Sequence, residues 1–146
     1  MRDLVIRVNN EPGALAHVTA AISDAGVNLS AATCIGGGDY ADLHVLVKHV
    51  EATRRVLEPA GLTVTEEREV VVVDAEDHPG VLADLARKVA DAGVNLNLVY
   101  VATGTRLVFG SDDIPALRAA LGVQEEQPAT GETLPDEVEV ATSDVL

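Results

Sequence analysis

Aromatic residues are almost missing from this chain: it has no tryptophan, and Tyr40, Tyr100 and Phe109 are its only tyrosines and phenylalanine. Any core must therefore be built from Val, Leu, Ile and Ala, and the 47% apolar content supplies them. Cysteine is scarcer still. Cys34 stands alone, which excludes an internal disulfide. Basic residues are few as well, ten Lys and Arg against 24 Asp and Glu, for a net charge of −14. That balance argues against nucleic acid and anionic membrane partners, both of which need a basic footprint. No apolar run is long enough to span a bilayer and no secretory leader is recognisable, so a cytoplasmic protein is expected.

What is present occurs twice. Asn10 to Asn28 (NEPGALAHVTAAISDAGVN) returns as Asp77 to Asn95 (DHPGVLADLARKVADAGVN), at a constant offset of 67 with no gap. The six residues Asp24 to Leu29 recur unchanged as Asp91 to Leu96. So close a match marks a duplication. The 146 residues then divide into two small domains, 1–67 and 68–146. Each alone would bury only a modest core, so the two are expected to support one another.

Within the first copy, Leu4–Val8 is rich in β-branched residues and is predicted as a strand. Asn10 is the expected N-cap of a helix with Pro12 in its first turn. Leu15, Val18, Ile22 and Ala25 follow helical spacing, and Gly26 is the stop. Val27–Ile35 and Tyr40–Val47 read as a hairpin around Gly36–Asp39, His49–Ala60 as a helix, and Leu62–Glu66 as a fourth strand. That order, β-α-β-β-α-β, is the ferredoxin-like arrangement.

The second copy repeats it: strand Glu69–Val73 with both faces expected to be covered, a helix with Leu82, Leu85, Val89 and Ala92 inward, and strands Val94–Ala102 and Arg106–Gly110. Their turn, Thr103-Gly104-Thr105, is expected to be tighter than its counterpart. Asp113 should cap the last helix, with Pro115 in its first turn. The eighth strand is expected either at Gly122-Val123 or at 137–141, after a mobile acidic loop over about 122–136. From Gly122 onward seven acids and no Lys or Arg occur, half of the net charge.

A strand followed by [D/N]-x-P-G-x-L, an amphipathic helix and A-G-V-N-L resembles the ACT domain, a small regulatory module that binds amino acids. The first copy carries it as Asn10-Glu11-Pro12-Gly13-Ala14-Leu15 and Ala25-Gly26-Val27-Asn28-Leu29. The second carries Asp77-His78-Pro79-Gly80-Val81-Leu82 and Ala92-Gly93-Val94-Asn95-Leu96. In each, glycine to asparagine spans fifteen residues, as in that family. The chain is similar to free-standing proteins of two ACT domains without an enzyme domain. The resemblance implies an α+β fold: two tandem ferredoxin-like βαββαβ domains packed side by side around antiparallel sheets.

The same residues suit a free amino acid. A helix start at a Pro-Gly turn offers backbone N–H groups and a positive dipole end for a carboxylate. Asn10 and Asp77 place an oxygen at the mouth of the turn, Gly13 and Gly80 leave room there, and the Asn28 and Asn95 amides both donate and accept. The resemblance implies that the ligand lies between paired domains. Asn10 would then share one site with Asn95, and Asp77 another with Asn28. Leu15, Leu82, Ser30 and Asn97 would line the pockets beside Glu11, Ala14, His78 and Val81. Asp77 is charged and suits an ammonium, so the two sites need not be equal. The plainer alternative is that Asn10 and Asp77 are simple caps and the later asparagines only satisfy backbone groups.

No enzyme emerges. His78 lies among loop acids with no second histidine at ligand spacing, so no metal is expected. Cys34 has no His/Asp arrangement around it, and Gly36–Gly38 joins two strands and lacks a P-loop lysine. His44 falls on the strand face opposite Leu43 and Val45, with no partner identifiable. The expected function is a cofactor-free regulatory protein, not an enzyme, that binds an amino acid between its repeats and forms a homodimer. The alternative is an oligomerisation module without a ligand.

Overall fold

Residues Arg2–Asn9 alternate between two environments, and both are dry: Leu4 and Ile6 point one way, Asp3 and Val5 the other, and all four are buried. A strand buried on both faces must be covered on both faces. The computed structural model, which describes residues 1–124, shows what covers it.

The first copy is β1 (Arg2–Asn9), α1 (Ala14–Asp24), β2 (Ala31–Gly37), β3 (Tyr40–Val47), α2 (Val50–Leu57) and β4 (Val64–Glu69). Its four strands form one antiparallel sheet in the order β2-β3-β1-β4. The second copy is β5 (Val71–Asp74), α3 (Val81–Asp91), β6 (Leu98–Ala102), β7 (Arg106–Gly110) and α4 (Ile114–Leu121), with strand order β5-β7-β6. Both are antiparallel α+β units of the ferredoxin-like kind. The counterpart of β4 would be the eighth strand. The expected acidic loop and the strand at 137–141 lie outside the described residues.

Each copy has its own core between sheet and helices. In the first, Leu4, Ile6, Leu43, Val45 and Val47 meet Val18, Ile22 and Leu57. In the second, Val71, Leu107 and Phe109 meet Val89 and Leu117. A third cluster joins the copies through the sheet faces turned away from the helices: Ala31 and Leu46 against Val70, Tyr100, Ala102 and Val108. The chain passes from one sheet to the other at buried Val70, between β4 and β5. Each large aliphatic side chain buried in these clusters contributes roughly 1.5–3 kcal/mol.

Several expectations are corrected. The hairpin strands begin four residues late, at Ala31 and Leu98 instead of Val27 and Val94, because 27–30 and 94–97 form connections. The second hairpin turn is the longer one: three residues separate paired Ala102 and Arg106, and two separate Gly37 and Tyr40. Leu15 and Leu82 are not part of the buried helical stripes, nor are Ala25 and Ala92. Val18 and Ile22, and Leu85 and Val89, face the cores as expected, but the first inward position of each helix is one residue earlier, at Ala14 and at Val81. The covered faces of β5 and the Asp113 cap stand as expected: Val71 and Val73 meet the helices, Val70 and Val72 the other sheet, and the Asp113 carboxylate accepts from the Ala116 N–H.

Candidate functional site

The two Pro-Gly turns have the same backbone. Gly13 (φ 91°) and Gly80 (φ 99°) take the left-handed conformation at the N-caps of α1 and α3. L side chains are strained there, which accounts for glycine at both. A Cβ placed on either would meet nothing within 4 Å, so both turns open onto free space. Asn10 and Asp77 are therefore not the caps expected of them. Glu11 N–H turns back to the Asn9 carbonyl and Ala14 N–H to the Glu11 carbonyl, which inserts an extra turn before the helix begins. In the second copy His78 N–H bonds the Glu76 carbonyl in the same way. The first turn of a helix leaves N–H groups without intrahelical acceptors.

Beside each turn stands an outward-facing leucine. Leu15 and Leu82 are both 46% exposed, next to Pro12 and Pro79, which are exposed too. Ala14 and Val81, which precede them, are half-buried against the sheet.

The residues at the mouth differ. Asn10 Nδ2 donates to the Gly38 carbonyl (3.0 Å), and its N–H donates to the Asp39 carbonyl (2.9 Å). Its side chain also lies where a Cβ on Gly36 would be, 3.0 Å away. The β2–β3 hairpin thus grips Asn10. In the second copy the hairpin reaches less far, bonding Ala75 N–H through the Thr105 carbonyl. The Asp77 carboxylate has no hydrogen bond or ion pair among the described residues. His78 Nδ1 lies 3.1 Å from its neighbour's carbonyl, on Pro79.

The asparagines that follow the helices, Asn28 and Asn95, are exposed and precede their strands. Asn28 borders an open groove of about 290 Å³ with Thr19, Ser23 and Gly26 at the end of α1. No hydrogen bond joins Asn10 to Asn95 or Asp77 to Asn28 among the described residues. Ser30 and Asn97 are engaged elsewhere: the Ser30 carbonyl accepts from the Thr103 N–H and hydroxyl of the other copy, and Asn97 Nδ2 donates to Asp112.

The structure also assembles a polar group that the sequence did not single out as one. Asp3 meets His44 and Tyr100 between the two sheets. Strand alternation already put His44 on the face away from the helices. The repeat held a further signal, since at the offset of 67 Asp3 aligns with Val70, a charged residue against an apolar one. Among the described residues no group of His, Cys, Asp and Glu is arranged to hold a metal, and no helix is long and apolar enough to cross a membrane.

The chain is similar in fold to protein BT0572 from Bacteroides thetaiotaomicron, at 22% identity over 83% of this chain and 85% of that one, with a TM-score of 0.74. It is similar also to the regulatory subunit of aspartate kinase from Thermus thermophilus, at 21% identity over 85% and 91% of the two chains, TM-score 0.60. The corresponding subunit from Thermus flavus matches at 17% identity over 83% and 90%, TM-score 0.55. No curated protein matches. The ACT domain model matches residues 2–58 and again residues 70–124, once on each copy. The chain belongs to the ACT domain family.

Proposed function

We propose that this protein is a regulatory amino-acid sensor without enzymatic activity, and that its ligand binds at the Pro-Gly turns. The observation that carries this reading is the pair Leu15 and Leu82, each held 46% exposed beside a left-handed glycine and an open helix start. The carboxylate of the ligand would take the N–H groups of the turn, and its side chain would lie on the leucine. The second turn is the stronger site. Asp77 offers a carboxylate with no competing partner to the ligand ammonium, whereas the Asn10 amide is held by the Gly38 carbonyl.

Within one chain the copies join through sheet faces, so the asparagine that completes each site, Asn95 or Asn28, comes from a facing chain in a homodimer. Relatives of the same fold include regulatory subunits of aspartate kinase, which fits a regulatory role. The lone exposed Cys34 fits the reducing cytoplasm.

A second reading, an assembly module that binds no ligand, draws on β6. Val99 (40% exposed) and Val101 (67%) stand on that edge strand with no covering element among the described residues. A thermal-melt panel with the twenty amino acids separates the two. A ligand at about 100 times its dissociation constant adds roughly 2.7 kcal/mol, a shift of several degrees. A selective shift supports the sensor, and a flat panel leaves the assembly module.

A further inference from the structure

The buried side chains between the copies are apolar except for one group. Asp3 is fully buried, at 0% exposure. Its Oδ2 lies 2.9 Å from His44 Nδ1, and its Oδ1 accepts the Tyr100 hydroxyl at 2.7 Å. A carboxylate oxygen can only accept, so the His44 tautomer that donates to it is the one with its proton on Nδ1. Burial, reinforced by the carboxylate it faces, raises the Tyr100 hydroxyl above the ordinary phenol range and keeps it a donor. Asp3 and His44 belong to the first copy and Tyr100 to the second. Among the described residues, every buried polar side-chain atom has a partner.

The repeat makes the arrangement directional. Asp3 corresponds to Val70. His44, opposite Thr33, corresponds to Val108, opposite Tyr100. Neither face could satisfy itself. Two first-copy faces would bring buried Asp3 carboxylates together with no hydroxyl to receive. Two second-copy faces would bury Tyr100 hydroxyls against Val70 and Val108, which accept nothing. Buried polar groups left unpaired carry a heavy penalty, so mismatched pairings are disfavoured.

We propose that Asp3 and His44 form a receptor for the Tyr100 hydroxyl, and that this contact specifies the pairing of first copy with second and the register in which their sheets dock. Apolar contact supplies the adhesion and the polar group supplies the selection, a role attested for buried polar residues elsewhere.

Hydrogen exchange on the full chain tests it. The Thr103 N–H donates across the copies to the Ser30 carbonyl at 3.0 Å and reports docking, while the β1–β3 ladder reports the fold of the first copy. In Tyr100→Phe, which removes the cross-copy arm alone, Thr103 should exchange at least tenfold faster, with β1–β3 amides changed less than twofold. In Asp3→Val/His44→Val/Tyr100→Phe, the first face becomes as apolar as the second. Its melting midpoint should equal or exceed that of Tyr100→Phe, while Thr103 stays fast. Unchanged Thr103 exchange in Tyr100→Phe would overturn the proposal, as would equal acceleration of both sets of amides, which marks a contact that merely stabilises. Thr103 protection restored in the triple variant would also overturn it, since apolar burial alone would then set the register.

Discussion

In the first copy the face that meets the other sheet carries Asp3 and His44; in the second the same positions hold Val70 and Val108. The turns differ in the same spirit, with Asn10 gripped by its hairpin and Asp77 open. The helical cores differ least, though Phe109 pairs with Val99 where Val45 pairs with Ala32. Duplication thus kept the scaffold and its glycine turns and let the two contact surfaces diverge. What differs between copies is what each must do that the other need not.

Substitutions that erase or exchange those differences should act in a definite order. Phe109→Ala empties the largest fully buried side chain and should cost about 3–5 kcal/mol, whereas Val45→Ala at the matching position should cost less, as measured by urea denaturation. A larger loss at Val45 would show that the greater volume of Phe109 does not set the cost at this position. Next comes Val70→Asp, which places a carboxylate in the apolar cluster that holds Val108, with no imidazole to meet it. About 3–5 kcal/mol is expected, more than for Asp3→Val, where two partners lose an acceptor but no charge is stranded. Equal penalties in melting experiments would mean that the two faces are interchangeable.

The second helices give a smaller and cleaner contrast. Asp113 (φ −118°, ψ 84°) caps α4, while His49 (φ −112°, ψ 84°) holds the same backbone at α2 without a side-chain cap. Asp113→Ala should cost about 1 kcal/mol, and His49→Asp should gain a similar or smaller amount. A destabilised His49→Asp would show that the imidazole has a structural role there.

The smallest effect belongs to Arg7 and Asp42, a bidentate pair on the first sheet with no counterpart ion pair among the described residues of the second. The Arg7 hydrogen bond lowers the Asp42 carboxyl below its ordinary value. A lowered carboxylate stabilises above the unfolded value, about pH 4, and loses that contribution as pH falls through the folded one. Melts of Arg7→Ala and wild type should therefore differ slightly near neutral pH and converge in acid. Divergence on acidification would contradict the assignment.

Much of this was legible in the sequence because it is local. The offset repeat, the Pro-Gly turns, the Asp113 cap and the alternation that exposes His44 to the second face all lie within a few residues of their cause. The misreadings share another origin. Val27 and Leu29 are apolar and were expected in a strand, but they pack on the first core from a connection. Leu15 outweighs Ala14 in any apolar pattern, so the first inward position of the stripe reads as Leu15 when it is Ala14, while Val18 and Ile22 read correctly. Asn10 and Asp77 have the chemistry of caps, yet an extra turn moves the cap to glycine. Tyr100 and Asp3 are 97 residues apart, and no local pattern links them.

In the function proposed above, the glycine turns receive an amino acid, the second more tightly. A two-dimensional amide NMR titration with the twenty amino acids tests it at the atoms concerned. A selective ligand should move Gly80, Val81 and Leu82 first, and Gly13, Ala14 and Leu15 at higher concentration. Shifts confined to α2 and α4, or none at either turn across the panel, would contradict it.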